Sequence, residues 1–197
     1  MFNKRAILLF YTLVLLLTSG CIYIPLVAAT YVPCNSALDS LKRQNVSRLA
    51  VEPVEPTDPN EQVNKITLLG QPLISPAGIP GSYAKYLEDA LKSDLAVADL
   101  LDPDSLLRLS AYLLKNDINP GFGWIGSTGH GIIKAKFNIN RNGKTLFDKT
   151  IDVETDFESH IVGAISRQNA QKLYPYLVRA LLEKSYSDPE FIKALQN

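Results

Sequence analysis

The stretch from Gly131 to Phe157 reads GIIKAKFNINRNGKTLFDKTIDVETDF, and its pattern decides the fold. Apolar and polar residues alternate on both sides of Asn142-Gly143, which is a typical turn sequence. This alternation indicates two antiparallel strands that bury one face and expose the other. The residues predicted to face the core are Ile133, Ala135, Phe137, Ile139, Phe147, Ile151, Val153 and Phe157.

The register of this hairpin follows from the requirement that both apolar sets lie on one face. Odd-numbered residues must then pair with odd-numbered residues across the hairpin. A three-residue loop, Arg141-Asn142-Gly143 with Gly143 left-handed, meets this requirement, whereas a plain two-residue Asn-Gly turn does not. The predicted pairs are Phe137 with Phe147 and Lys136 with Asp148.

The elements before the hairpin can be followed back along the chain. Ser105–Lys115 alternates with period two and predicts a strand. Ser82 caps a predicted helix whose apolar positions recur at helical spacing until Asp102-Pro103 stops it. Residues 47–54 predict a first strand, and a short helix is predicted from Asn35 or Ser36 to Arg43.

The C-terminal part has helical spacing. A helix is predicted along Leu173 to Lys184, with Pro175 in its first turn or at a kink. Asp188 caps a last short helix with Pro189 at its first position. The predicted fold is an α+β two-layer sandwich: a mainly antiparallel sheet with a long hairpin, and two main helices packed on one face.

The N-terminal 21 residues have the pattern of an export signal. Lys4 and Arg5 are the only charges before Asp39. Residues 6–17 form an apolar segment shorter than the roughly 20 residues that span a bilayer. Thr18-Ser19-Gly20 then leads directly to Cys21. This ending resembles the lipobox of bacterial lipoproteins, in which a diacylglycerol is attached to the cysteine and the signal is cleaved before it.

The resemblance implies a lipid on Cys21 and a place on the periplasmic side of the cell envelope. Thr18 departs from the family pattern, which prefers Leu or Val at that position. Ile22 stands where enteric lipoproteins retained in the inner membrane have aspartate, which implies outer-membrane sorting, with the inner membrane as the alternative. The corresponding division is a signal peptide (1–20), a lipidated lead-in and linker (21–46) and a single α+β domain (47–197).

An uncleaved membrane anchor is the competing interpretation of the N-terminus. Residues 22–24 and 26–29 are apolar and would extend the uncharged run to spanning length, although Pro25 interrupts it. The bonding available to Cys34 depends on whether Cys21 carries a lipid. Cys34 is the only thiol left if Cys21 carries lipid, whereas a Cys21–Cys34 disulfide becomes available if it does not.

Composition excludes some classes of partner. The chain has 20 basic and 20 acidic residues, and removing Lys4 and Arg5 leaves 18 against 20, a net charge of −2. The sequence contains no basic stripe of the kind that indicates nucleic-acid binding. His130 and His160 have no metal-ligand spacing, so no metal, cofactor or catalytic residue is assigned. His130 is expected in a loop, and Asp156 and Glu158 are expected on a solvated strand face rather than as an acid/base pair.

The segment Gly121-Phe122-Gly123-Trp124-Ile125-Gly126 matches G-x-G-x-x-G. A dinucleotide site needs a helix opening at this motif, whereas a strand follows here. The exposed aromatic residues are more informative, because a loop tip can present them to a protein or lipid partner. Phe122 and Trp124 are therefore candidate partner contacts, with packing of Trp124 onto the core as the alternative.

Three stretches carry a resemblance over the rest of the chain: PAGIPGSYAKYLEDAL (76–91), LSAYLLKND (109–117) and TGHGIIKAKFNINRNGKTLFDK (128–149). They resemble a group of small Gram-negative lipoproteins without an assigned activity. The element order is similar to that of the lipopolysaccharide-assembly lipoprotein and of auxiliary lipoproteins of ABC-type lipid transporters.

These resemblances imply a membrane-anchored envelope lipoprotein that acts as a non-enzymatic binding, assembly or transport accessory, with another envelope protein as partner. Two alternatives stay open. One is a hydrolase-like periplasmic enzyme that uses the glycine-rich loop 119–131. The other is a carrier for an apolar ligand held between sheet and helices.

Overall fold

The computed structural model describes residues 26–33, 35–57, 66–68, 71–75, 82–119, 127–159 and 163–196. The helices are α1 (Asn35–Lys42), α2 (Tyr83–Val97), α3 (Gly163–Tyr186) and α4 (Pro189–Gln196). The strands are β1 (Leu26–Val27), β2 (Ala50–Val51), β3 (Glu55–Pro56), β4 (Ile66–Leu68), β5 (Gln71–Ser75), β6 (Leu107–Asn119), β7 (Ser127–Arg141) and β8 (Lys144–Ser159).

The main sheet has five strands. Strands β6, β7 and β8 are antiparallel, and β2 and β3 both pair with β6 in parallel. The four helices lie on one face of this mixed open sheet, so the α+β prediction is confirmed. A smaller sheet of order β1-β5-β4 contacts α3 and β6.

The hairpin register differs from the prediction by two residues. Ile139 lies opposite Phe147 and Phe137 lies opposite Lys149, so the predicted pairs Phe137–Phe147 and Lys136–Asp148 are wrong. The turn is the two-residue Asn142-Gly143, with φ of 52° and 79° at these residues. An irregularity after Ile139 leaves one extra residue on β8, and this bulge restores the odd-with-odd pairing that burial of one face requires.

A second irregularity, in β6, changes which side chains are buried. Up to Leu113 the odd-numbered residues face the helices, as the alternation predicts. The register shifts between Leu113 and Lys115, and after it the even-numbered Asn116 and Ile118 are the buried ones. The bulge therefore turns an amide side chain into the apolar layer.

Helix α2 begins as predicted and ends earlier than predicted. The Ser82 hydroxyl accepts a hydrogen bond from the Lys85 N–H at 2.9 Å, which confirms the N-cap. The helix ends at Val97, not at Asp102-Pro103, because Asp99 takes φ 58°. The Leu100 N–H then donates to the Leu95 carbonyl and closes a Schellman motif.

In the C-terminal helices one predicted cap is confirmed, and one of the two placements predicted for Pro175 is wrong. Asp188 accepts the Glu190 N–H at 2.9 Å and Pro189 opens α4, as predicted. Pro175 lies well inside α3, so its placement in the first turn is wrong, and the kink stays a prediction. Its side chain is buried within the helical layer.

The packed part of the chain begins well before residue 47. Ala28, Leu38 and Leu41 are each at most 3% exposed and belong to the same core cluster as the sheet residues. Helix α1 contacts α2 and α3. Residues 21–46, expected to be a lead-in and linker, thus include a helix and core side chains.

Candidate functional site

Several predicted site residues lie outside the described part of the chain. These are Cys21, Cys34, Phe122, Trp124 and His160. Their proposed roles stay predictions. What the structure shows is the surface from which the segment carrying Phe122 and Trp124 starts and to which it returns, because β6 ends at Asn119 and β7 begins at Ser127.

This surface, the distal end of the sheet, comprises Asp117, Asn119, His130, Glu154 and Asp156. Asn119, His130 and Asp156 form one row across β6, β7 and β8, and Asp117 and Glu154 lie two residues along the strands, in the next row on the same face. The placement of His130 in a loop is wrong, because it lies within β7 with an exposed side chain.

His130 contacts two carboxylates. Its Nδ1 lies 2.9 Å from Asp156 Oδ1, and its Nε2 lies 3.8 Å from Glu154 Oε2. Asp156 and Glu158 are exposed, which agrees with a solvated strand face. The distal end is consequently rich in carboxylates, with one imidazole between two of them.

Two glycines of the predicted loop 119–131 belong to β7 and have packing roles. A Cβ on Gly129 would overlap the Phe157 ring, so the glycine lets that ring lie on the strand backbone. A Cβ on Gly131 would lie 2.9 Å from Leu173 Cδ2, so this glycine lets α3 approach the sheet. The glycine-rich character of residues 129–131 therefore reflects packing.

The sheet face opposite the helices is polar. Lys136 Nζ lies 3.0 Å from Asp148 Oδ1, and Arg108 Nη1 lies 2.5 Å from Glu52 Oε1. Tyr112 also lies on this face, as the cross-strand neighbour of Lys136, and is 42% exposed. Pairs exposed to this extent contribute little stability, typically below about 1 kcal/mol each.

A second group of polar side chains holds residues 28–33, here called the strap, across α2 and α3. The Tyr86 hydroxyl donates to the Ala29 carbonyl at 2.6 Å, and the Tyr31 hydroxyl donates to Asp94 Oδ2 at 2.9 Å. Arg179 Nη2 donates to the Val32 carbonyl at 2.7 Å. These three hydrogen bonds thus fix the strap to α2 and α3.

Asp94 is the most perturbed acid at the strap. Burial raises its pKa from 3.8 to about 6, with a smaller rise from the charge of Glu183. The hydrogen bond from Tyr31, the nearby hydroxyl of Tyr186 and the charge of Arg179 oppose the rise. Its position could have been noticed in the sequence, because Asp94 falls between Leu91 and Leu95 on the apolar stripe of α2.

Asn116 and Tyr174 form a buried polar pair that the sequence argument missed. Tyr174 packs edge-to-face on Tyr83 and Tyr86, with ring centroids 4.8 and 5.1 Å away. Burial raises the Tyr174 pKa, and nearby Asn116 lowers it. Neither polar group completes a hydrogen bond of ordinary geometry in the described chain. The apolar residues of β6 occupy odd positions up to Leu113 and an even position at Ile118, and this break in the alternation is the sequence signal for the bulge.

Two surface cavities are lined by described residues. One, of about 220 Å³, adjoins the strap and is lined by Thr30, Tyr31, Tyr86, Asp89 and Ser93. The other, of about 280 Å³, lies beside β2 and is lined by Ala50, Val51, Lys92, Leu101, Pro103 and Arg108. Both have exposed charged residues in their walls, unlike the apolar space between sheet and helices that a carrier would use.

Two further properties hold for the described residues. They contain no cluster of three or more His, Cys, Asp or Glu side chains placed to hold a metal ion. Within the same ranges, no helix has both the length and the apolar character needed to cross a membrane.

Comparison with known proteins gives structural neighbours and no family. No family model and no curated protein matches the sequence. A Xanthomonas campestris protein of the DUF330 family aligns with TM-score 0.46 and 12% identity, covering 83% of this chain and 92% of its own. A hypothetical protein from Chlamydia trachomatis gives TM-score 0.45 and 10% identity, covering 76% and 99%.

A minor lipoprotein from Acinetobacter baumannii aligns with TM-score 0.40 and 12% identity, covering 77% of this chain and 91% of its own. With TM-scores below 0.5, these similarities assign neither a family nor a function to the chain.

Proposed function

We propose that this chain is a lipoprotein of the bacterial cell envelope, anchored by a lipid on Cys21. The observation that carries the proposal is the order of charged, apolar and small residues that ends on Cys21. The fold adds support, because Leu26 and Val27 pair as a strand and Ala28 is 3% exposed. Because residues 26–28 belong to the folded domain, they do not lengthen the apolar segment that an uncleaved membrane anchor would need.

The lipid proposal is tested by metabolic labelling with an alkyne fatty acid. Wild-type protein should incorporate the label and Cys21→Ala should not, while Cys34→Ala, the matched control at the other cysteine, should label like wild type. Equal labelling of wild type and Cys21→Ala would rule out the anchor. Separation of inner and outer membranes then tests sorting, for which Ile22 favours the outer membrane.

The function we propose for the tethered domain is non-enzymatic binding of another envelope protein at the distal end of the sheet. Phe122 and Trp124 belong to the segment that connects β6 to β7 in the sequence, and the strands at this end of the sheet carry the carboxylates of Asp117, Glu154 and Asp156. Aromatic side chains beside a charged rim are typical of interface centres. The excess of carboxylates favours a partner with a basic surface.

Cross-linking in cells tests this assignment. A photoreactive amino acid at Trp124 should give a discrete adduct with one envelope protein. The same amino acid at Tyr112 is the matched control, because Tyr112 lies on the open sheet face roughly 20 Å along the strands from His130. A discrete adduct from both positions, or from Tyr112 alone, would contradict binding at the distal end.

A hydrolase-like enzyme is the second candidate, and the contact between His130 and Asp156 is the observation that favours it. A carboxylate that orients an imidazole is one part of many acid–base sites. Hydrolysis of ester, amide or glycoside substrates by the purified protein, lost in His130→Ala with the fold intact, would support this candidate. Retention of that hydrolysis in His130→Ala would remove the imidazole from consideration.

A further inference from the structure

The distance between the anchor and the folded domain is short. Leu26 is already paired with Ile74 in the small sheet, and only residues 22–25 separate it from Cys21. Five residue steps span at most about 18 Å when fully extended. A lipid on Cys21 therefore keeps the start of the fold close to the bilayer, whatever the domain binds elsewhere.

The strap continues directly from β1 and is fixed to the helical layer. Its hydrogen bonds to Tyr86, Asp94 and Arg179 prevent the chain from leaving the domain between Ala29 and Val32 without losing buried contacts. The side of the domain that carries the strap is consequently the side that the tether holds near the membrane.

The exposed surface beside the strap has a composition that suits a bilayer interface. Val32 is 59% exposed, and its carbonyl is bound by Arg179. Tyr176 is 55% exposed and lies three residues before Arg179, so the two share one side of α3. Exposed Lys172 lies one turn earlier on the same side.

Tyr176 points away from α2, on which Tyr174 packs, and lies about 60–100° around the helix from Leu173 and Leu177, which face the sheet at Gly131. At about 100° per residue it lies some 200° around α3 from both Tyr174 and Val178, which are fully buried. Tyrosine is amphipathic and is enriched at the level of lipid headgroups, where lysine and arginine also extend their charges into water. The face of the sheet that the helices do not cover carries charged side chains such as Lys136 and Asp148, together with Tyr112.

We propose that the surface formed by Val32, Lys172 and Tyr176 docks on the phospholipid bilayer to which Cys21 is anchored, with the sheet face turned away from it. This proposal rests on the lipid anchor proposed above. The docked orientation leaves the polar sheet face accessible while the domain stays bound to the membrane surface.

Fluorescence quenching by brominated lipid tests the orientation. The full lipidated protein carries Trp124→Phe, so that it has no other tryptophan, and a single tryptophan is placed by Tyr176→Trp or by the matched control Tyr112→Trp. Both proteins are reconstituted into vesicles of phosphatidylethanolamine and phosphatidylglycerol, with or without dibrominated phosphatidylcholine. Docking predicts quenching at least about twofold greater for Tyr176→Trp than for Tyr112→Trp, because bromine quenches over short distances and only one side contacts lipid.

Flotation of the same vesicles separates failure of docking from failure of the anchor. Protein that floats with the vesicles but shows equal quenching at both positions, or greater quenching at Tyr112→Trp, overturns the docking proposal and leaves the anchor intact. Protein that does not float overturns the anchor and, with it, the docking proposal. Flotation with selective quenching of Tyr176→Trp supports both.

Discussion

Replacement of Asp94 by asparagine should stabilise the protein at neutral pH. Asp94 is 2% exposed, and burial is the main reason that its pKa rises from 3.8 to about 6. A rise of roughly two units corresponds to about 3 kcal/mol, at 1.36 kcal/mol per unit. The neutral amide of asparagine also loses water on burial, so we expect a smaller gain, of about 1–2 kcal/mol, in the free energy of unfolding.

The sign of the pH dependence follows from the direction of the shift. The folded protein binds the Asp94 proton more tightly than the unfolded chain does. Protonation therefore stabilises the fold below pH 3.8, and this contribution is lost as pH rises to about 6. Asparagine is neutral at every pH and keeps an oxygen that can accept the Tyr31 hydrogen bond.

Urea unfolding of a chain without residues 1–20 and with Cys21→Ser provides the assay, at pH 4 and pH 7.5. The wild-type and Asp94→Asn proteins should unfold at similar urea concentrations at pH 4 and diverge at pH 7.5, where asparagine is more stable. Asp89→Asn is the matched control, since Asp89 lies exposed on the same helix. A variant less stable than wild type by more than about 1 kcal/mol at pH 7.5 would refute the reasoning, because desolvation of the charge would then not be the dominant cost.

Three further changes test the packing and the buried polar groups, each by urea unfolding. Gly129→Ala should destabilise by about 1–3 kcal/mol, because its Cβ would overlap the Phe157 ring, whereas the exposed neighbour change Thr128→Ala should cost under about 0.5 kcal/mol. Asn116→Leu should be neutral or stabilising by up to about 2 kcal/mol, because it removes a buried amide without a well-formed hydrogen bond; a clear loss would mean that the amide is satisfied. Glu88→Gln should destabilise the fold by about 1 kcal/mol above pH 4.5. Burial alone would raise the Glu88 pKa, but hydrogen bonds from Lys92, Lys85 and the Val54 N–H lower it. The stability that the Glu88 carboxylate contributes is therefore present above its unfolded pKa of 4.5 and is lost as pH falls through its lower pKa in the folded protein. A Glu88→Gln variant that matches wild type at pH 7 would contradict this assignment.

The hairpin shows which structural features a local sequence pattern predicts and which it does not. Alternation required Phe137, Ile139 and Phe147 to share a face, and they do. The predicted pairing was nevertheless wrong, because a three-residue loop and a two-residue turn followed by a bulge satisfy the same parity. Packing of complete side chains, rather than their order along the chain, chooses between the two.

The candidate sites also differ in whether they depend on local sequence or on long-range contacts. The lipid proposal for Cys21 rests on its immediate neighbours, since an export signal is a pattern in the linear sequence. The contacts of Asp94 could not be predicted in this way, because Tyr31 lies 63 residues away in sequence and the shifted pKa depends on surroundings that exist only after folding. The loop prediction for His130 is wrong because the glycines on both sides of it serve packing: the Phe157 ring and α3 occupy the space that Gly129 and Gly131 leave.

The sequence alone determined the class of fold, the caps at Ser82 and Asp188, and the anchor hypothesis for Cys21, because each depends on residues only a few positions apart. The tertiary structure decided the hairpin register, the burial of Asn116 and the attachment of the strap to α2 and α3. These features depend on the mutual packing of the sheet, the helices and the N-terminal segment. The same packing brings the strap and Tyr176 to one side of the molecule, and so defines the surface proposed to face the membrane.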